Sequence, residues 1–170
     1  LKSSELIIQK YINDKTSNAY ATAVIGKWHV SGNTPLNAPE PFEVNYYSGF
    51  LSGAVSDYYN WTETSNGVQK NITDYATTRF VDNSVSWIQK QTKPFFLWLA
   101  LNAPHTPFHR PPLNLIKNQS LSASVTAINA DQYSYYLASI EAMDKEISRL
   151  ISSLSVPQRE NTVFVFVGDN

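Results

Sequence analysis

Phe95-Phe-Leu-Trp-Leu-Ala-Leu101 runs directly into Asn102-Ala-Pro-His-Thr-Pro107, and this junction decides the fold. Seven apolar residues without polar alternation are what a strand needs when helices cover both faces of a parallel sheet. The abrupt change to proline, histidine and threonine marks the carboxyl end of that strand, where open α/β sheets bind their ligands. Two other stretches repeat the layout. Ala21-Thr-Ala-Val-Ile25 leads into Gly26-Lys27-Trp28-His29, and Thr162-Val-Phe-Val-Phe-Val167 leads into Gly168-Asp169-Asn170. Side by side in one sheet, three such endings would gather two histidines, a lysine, a carboxylate and an amide.

The segments between these runs read as helices and loops. Leu6, Ile7, Ile8, Tyr11 and Ile12 recur at helical spacing, with Ser3 or Ser4 as the cap, and predict a helix over about 4–15. Residues 31–70 are rich in Pro, Gly, Ser, Asn and Tyr and read as loops with one small hairpin near Val68-Gln-Lys-Asn-Ile72. Ala76, Phe80, Val81, Val85, Trp87 and Ile88 predict an amphipathic helix within 73–91. Residues 102–129 form a long loop that opens with the histidine cluster, and loops of that length are usually functional. From Asp131 to Leu154, apolar positions at Tyr133, Tyr136, Leu137, Ile140, Met143, Ile147, Leu150, Ile151 and Leu154 predict a long helix that Pro157 ends. Helix, strand, helix, strand, helix, strand is an α/β layout: a mostly parallel sheet with helices on both faces and right-handed crossovers.

Composition narrows the function. At 170 residues and 42% hydrophobic content the chain suits one domain with its own core. A formal charge of -1 with no like-charge block offers no broad surface for nucleic acid or an anionic membrane. No apolar stretch approaches the ~20 residues of a membrane-spanning helix. The absence of cysteine removes disulfides, metal thiolates and thiol nucleophiles from these 170 residues. Sequons stand at Asn60, Asn71 and Asn118, but with 15 Asn and 31 Ser plus Thr about three arise by chance, so they carry no weight.

Lys27 and His29 stand two apart, so an extended segment would place them on one side with Trp28 opposite. His105 follows the second strand directly, whereas His109, beside Arg110, fits a structural role better. Asp169 and Asn170 suit a turn or, with further ligands, a hard cation bound by oxygen. Tyr46, Tyr47, Tyr58 and Tyr59 read as packing and loop support. Ser48, Ser52 and Ser56 lack the arrangement of a nucleophile elbow.

Four pieces together resemble the formylglycine-dependent sulfatases of the alkaline phosphatase superfamily. They are Tyr20-Ala-Thr-Ala-Val-Ile-Gly-Lys-Trp-His29, Lys93-Pro-Phe-Phe-Leu-Trp-Leu-Ala-Leu-Asn-Ala-Pro-His-Thr-Pro107, Tyr136-Leu-Ala-Ser-Ile-Glu-Ala-Met-Asp144, and Asn161-Thr-Val-Phe-Val-Phe-Val-Gly-Asp-Asn170. They come in the family's order, and Gly49-Phe-Leu-Ser-Gly-Ala-Val-Ser-Asp-Tyr-Tyr59 resembles a loop that lies between the first two. The family's Gly-Phe-Asp ahead of that loop reads Glu43-Val44-Asn45 here.

The resemblance implies hydrolysis of a sulfate ester, most naturally on a carbohydrate, with Lys27 and His105 binding sulfate and leaving-group oxygens. It implies His29 as the base that lets sulfate leave, and Asp169 and Asn170 as two ligands of a calcium ion. Neither the nucleophile motif that becomes formylglycine nor the paired aspartates of the metal site occurs in these residues. The resemblance therefore implies an internal part of a longer catalytic domain, inactive alone, in a periplasmic or secreted protein. Two alternatives remain open: a phosphonate or phosphodiester hydrolase of the same superfamily, and a non-catalytic homologue that binds sulfated glycans.

Overall fold

The computed structural model describes Lys2 and residues 5–168. In chain order the elements are α1 (Ile8–Thr16), β1 (Ala21–Lys27), β2 (Tyr46–Phe50), β3 (Trp61–Ser65), β4 (Val68–Ile72), α2 (Ala76–Ile88), β5 (Phe95–Ala100), α3 (Val125–Ala130), α4 (Gln132–Ser153) and α5 (Val156–Glu160). The five strands make one mixed sheet in the order β4-β3-β2-β1-β5.

β1 is the axis of the sheet. Its first six residues are buried, as an apolar strand flanked on both edges and covered on both faces requires. It pairs in parallel with β5 from Ala21↔Phe95 to Gly26↔Ala100, and on its other edge with β2 from Ala23↔Tyr46 to Lys27↔Phe50. β3 and β4 extend the sheet antiparallel. Their two-residue turn, Asn66-Gly67, has φ of 44° and 83°, the left-handed pair that a type I′ hairpin needs.

Alternation along β1 divides the core in two. Ala21, Ala23 and Ile25 face a large cluster with Phe80, Val81, Trp87 and Ile88 of α2. Val24 faces a smaller one with Phe42, Val44, Tyr47 and Leu51, against which Ile7 and Trp28 pack. Phe80 is fully buried between Phe50 and Trp61, and truncating it to alanine would cost about 3–5 kcal/mol. α4 lies on α2, away from the sheet, through Tyr135, Ala138, Ala142 and Leu150.

The sheet, the hairpin and α2 agree with the sequence reading; several details do not. Helix α1 starts at Ile8 with Ile7 as its cap, and Ser3 and Ser4 lie outside the described residues. Gln9 and Asn13 point inward while Ile8 and Tyr11 are exposed, because apolar spacing identifies a helix without fixing which face docks.

Besides the expected hairpin of β3 and β4, residues 31–70 contain a further strand, β2, where a loop was expected. Tyr46-Tyr-Ser-Gly-Phe50 reads as loop because its centre is small, and the centre is small because Gly49 lies against the backbone of Gly26. Residues 102–129 include the start of α3, capped by Ser124 accepting from the Ala127 amide. In α4 the bulky stripe is buried only toward its C-terminal end, at Leu150 and just beyond the helix at Leu154; Tyr133 and Leu137 are exposed, and there Ala138 and Ala142 let α2 approach. Pro157 does not end α4. It occupies the first turn of α5, where a missing amide costs nothing, behind a Ser155–Gln158 capping box.

The largest correction concerns the third expected strand. Residues 162–167 pair with no strand among the described residues, and Val163, Val165 and Phe166 are each more than 75% exposed. A strand exists by pairing, and β propensity alone does not supply a ladder for its amides and carbonyls. Two of the three expected strand ends therefore stand side by side, those of β1 and β5.

Candidate functional site

The site begins where β1 and β5 stop together. Gly26 and Ala100 are partners in the ladder, so the segments leading to Lys27 and His29 and to His105 leave the same edge of the sheet from adjacent strands. Gly26 has φ of 109°, and a β-carbon there would overlap the carbonyl of Ala100. A β-carbon on Gly49 would overlap the carbonyl of Gly26 in turn. Two glycines thus let three strands close up at their carboxyl ends, which brings their loops together.

Beyond Gly26 the chain turns sharply. Trp28 packs with ring centroids 5.7 Å from Phe42 and 6.1 Å from Tyr47, and its indole donates to the Ser31 hydroxyl. Lys27 is the last residue of β1 and half-buried, while His29 is exposed with a left-handed backbone, φ 53°. The regular extended path expected through His29 therefore ends at Lys27. The amides of Trp28 and His29 donate to the carbonyls of Phe50 and Leu51, so the strand is continued by two bonds to the loop after β2. The imidazole of His29 rests on Gly53 of that loop, where a β-carbon would lie 2.6 Å from Nε2.

His105 is fixed by its backbone and by one ring nitrogen. Its amide donates to the Asn102 carbonyl, and its carbonyl accepts from the Tyr58 hydroxyl at 2.8 Å. Nδ1 lies 2.8 Å from the Thr106 carbonyl, which can only accept, so Nδ1 carries the proton. That assignment leaves Nε2 to serve a bound group, as a donor when the ring is charged. The His105 side is exposed.

The loop between β2 and β3 touches both histidines. Its Tyr58 is 1% exposed and accepts from Asn102 Nδ2 at 2.6 Å, and burial pushes the phenol's pKa up, so it stays protonated as a donor. A cleft of about 300 Å³ opens beside the same loop, lined among others by Asn33, Leu51, Ser52, Ser56, Thr62 and Gln69. The Ser52 hydroxyl donates to the Ala54 carbonyl.

Other polar groups are structural. His109 has both nitrogens engaged, Nε2 with the Tyr75 hydroxyl at 3.0 Å and Nδ1 with the Pro107 carbonyl at 3.0 Å, and its ring stacks 3.8 Å from Tyr58. Burial holds its pKa below the ordinary imidazole value. Tyr47 and Tyr58 are buried, in keeping with the packing role read for the tyrosines. Glu63 is buried among Arg79, Asn83 and Ser48. Burial pushes its pKa up, but the Arg79 fork and the Asn83 and Ser48 bonds outweigh that and hold it below the usual carboxylate range.

Asp169 and Asn170 lie outside the described residues. Among the described residues no group of three His, Cys, Asp or Glu side chains could hold a metal ion. No described helix is long and apolar enough to cross a membrane. Asn102 and Gly53 are candidate-site residues that the sequence did not single out, and Tyr58, read there as loop support, supports the His105 loop. Only the close spacing of Asn102 to His105 hinted at one of them.

Comparison with known proteins gives the family. The family model described as Sulfatase matches residues 8–170. The chain is 25% identical over 180 residues to the uncharacterized sulfatase YdeN of Escherichia coli strain K12, covering 91% of this chain and 31% of that protein. It is 27% identical over 97 residues to an endo-4-O-sulfatase of Bacteroides thetaiotaomicron, covering 49% of this chain and 19% of that protein. The crystal structure of Ps i-CgsB in complex with k-i-k-neocarrahexaose is similar with a TM-score of 0.69 and 25% identity, over 89% of this chain and 37% of that one. A structure solved in complex with its substrate D-glucosamine-2-N,6-O-disulfate has a TM-score of 0.62 at 16% identity, over 94% of this chain and 50% of that one, a likeness of fold alone. The chain thus spans about a third of the length of YdeN and of Ps i-CgsB.

Proposed function

Because this chain belongs to the sulfatase family, within the alkaline phosphatase superfamily, we propose that the protein carrying it hydrolyses a sulfate ester of a carbohydrate, with Lys27, His29 and His105 at the reacting sulfate. The observation that carries this reading is the parallel pairing of Gly26 with Ala100, from which both cationic segments depart. Sulfate carries no proton to give, so a site for its esters must supply cations and N–H donors, aimed where charge grows in the transition state. Lys27 contributes an ammonium, and His105, held by Nδ1 on Thr106, offers Nε2 as a donor to the leaving oxygen when its ring is protonated. His29, exposed and steadied by Gly53, is the general base whose proton abstraction frees sulfate. The polar cleft beside Ser52 and Gln69 suits a hydroxylated leaving group.

The proposal includes two groups outside the described residues. Formylglycine, made from a cysteine or serine elsewhere in the protein, supplies the oxygen nucleophile. Asp169 and Asn170, with ligands from elsewhere, would hold calcium by their oxygen donors, and the ion would supply positive charge to the sulfate. The 170 residues alone are inactive in this reading, and the whole protein is periplasmic or secreted.

The test is turnover by the full-length protein of an aryl sulfate against an aryl phosphonate and a phosphodiester. Sulfate turnover that falls about 10²–10³-fold in each of Lys27→Ala, His29→Ala and His105→Ala is expected. Faster phosphonate or phosphodiester turnover overturns it. Binding of sulfated glycan that survives loss of Lys27 and His29, without turnover, turns the protein into a non-catalytic binder.

A further inference from the structure

Tyr58 is a buried phenol with an unusual set of obligations. The carbonyl of His105 can only accept, so the phenol must donate to it, and Asn102 must then turn its amide nitrogen toward the phenol oxygen. Asn102 is itself 3% exposed, its carbonyl accepts the His105 amide, and its Oδ1 has no hydrogen-bond partner among the described residues. An orientation that leaves a buried oxygen unmatched is tolerated only where the other bonds outweigh it. Three groups therefore close a ring: Asn102 backbone to His105 amide, His105 carbonyl to Tyr58, and Tyr58 back to Asn102.

The same short loop reaches the other imidazole. Leu51 accepts the His29 amide, and Gly53 forms the surface against which the His29 ring rests. Residues 51–60 thus hold both histidines, one at each end, while β1 and β5 hold only the backbones from which they spring. Tyr58 is kept at its own height by stacking 3.8 Å from His109 and 5.9 Å from Tyr75.

We propose that Tyr58 is a positioning residue for His105, and that the β2–β3 loop, through Gly53 at one end and Tyr58 at the other, sets the spacing of the two imidazoles. The inference rests on the reading of His105 as a donor to the substrate. A displacement of about 1 Å in a catalytic group can cost up to 10²-fold in rate, so one hydrogen bond to a loop carbonyl is enough to matter.

The test is Tyr58→Phe in the full-length protein, which removes the hydroxyl and keeps the stacked ring. Aryl sulfate kcat is expected to fall about tenfold with KM within twofold. In a His105→Ala background the same substitution is expected to change kcat less than twofold, because the group it positions is gone. An equal fall in both backgrounds, or none in either, overturns the proposal. A readout independent of turnover is the Cε1–H resonance of His105 in protein with labelled histidine, assigned by its loss in His105→Ala. A changed shift and titration midpoint in Tyr58→Phe supports positioning, and an unchanged resonance overturns it. Absence of sulfate turnover in the parent protein would instead fail the functional reading, leaving the resonance to decide the positioning.

Discussion

The imidazole of His29 lies so close to Gly53 that a β-carbon on that glycine would stand 2.6 Å from Nε2. Gly53→Ala must move the ring, since the loop is tied to the same segment by the Leu51 carbonyl and the His29 amide. The expected outcome is a fall of about 10-fold or more in kcat for sulfate ester hydrolysis. The thermal midpoint should shift by no more than a few degrees, because Gly53 is half-buried and its φ is not left-handed. Steady-state kinetics and thermal unfolding on one preparation check both halves.

Gly49→Ala acts on the framework behind the site. Its β-carbon would overlap the Gly26 carbonyl, and neither backbone can give way without opening the β1–β2 ladder. The expected loss is on the order of 3 kcal/mol, in the range of severe single substitutions. Denaturant unfolding of the full-length protein measures it. A loss under about 0.5 kcal/mol would mean that the strands are not packed as described.

These glycines also show why part of the site was legible in the sequence and part was not. Lys27, His29 and His105 stand out because a buried strand demands an unbroken apolar run, and the first polar cluster after it marks the end that can face a ligand. Gly49 left no such mark, since the close approach that requires it also puts small residues at the centre of Tyr46–Phe50, within a stretch that reads as loop. Tyr58 was one tyrosine of a pair. Nothing local says which phenol is buried beneath a loop 47 residues further along. The Asn66-Gly67 turn was there to be read and would have placed β3 beside β4. Residues 162–167 carried the opposite lesson, an apolar run whose strand character depends on a neighbour rather than on itself.

Arg79→Met removes the fork that keeps Glu63 charged in the core. Breaking a buried pair on one side is expected to cost about 3 kcal/mol at neutral pH. The pH dependence reverses sign. In the parent protein Glu63 has a depressed pKa, so its contribution is complete above the ordinary carboxylate value and is lost as pH falls through the lower folded value. In the variant, burial dominates and raises the folded pKa, so the penalty is greatest at high pH and is relieved as protons bind. The stability gap between the two should therefore narrow as pH falls toward 4, which unfolding curves at a series of pH values would detect.

His109 gives a second pH dependence of stability, near the ordinary imidazole value. Burial lowers its pKa, and the Pro107 carbonyl and the Asp57 charge offset only part of that. A group with a depressed folded pKa takes up protons more readily when unfolded, so its contribution to stability is complete above the unfolded value of about 6.5 and declines as pH falls below it. The groups around it cannot compensate: Tyr75 has its own pKa pushed up to about 12 by burial, and the Tyr58 and Tyr59 rings pack on the imidazole. His109→Phe keeps an aromatic ring under Tyr58 while removing the titration. The variant is expected to be less stable at pH 8, because the Tyr75 hydroxyl loses its bond at 3.0 Å, yet to lose less stability than the parent between pH 7 and 5. Parallel unfolding-versus-pH curves from the two proteins would show a gap that narrows on acidification. A gap of constant width would mean that His109 does not titrate differently in the folded state, and that the stack beneath Tyr58 is held by ring packing alone.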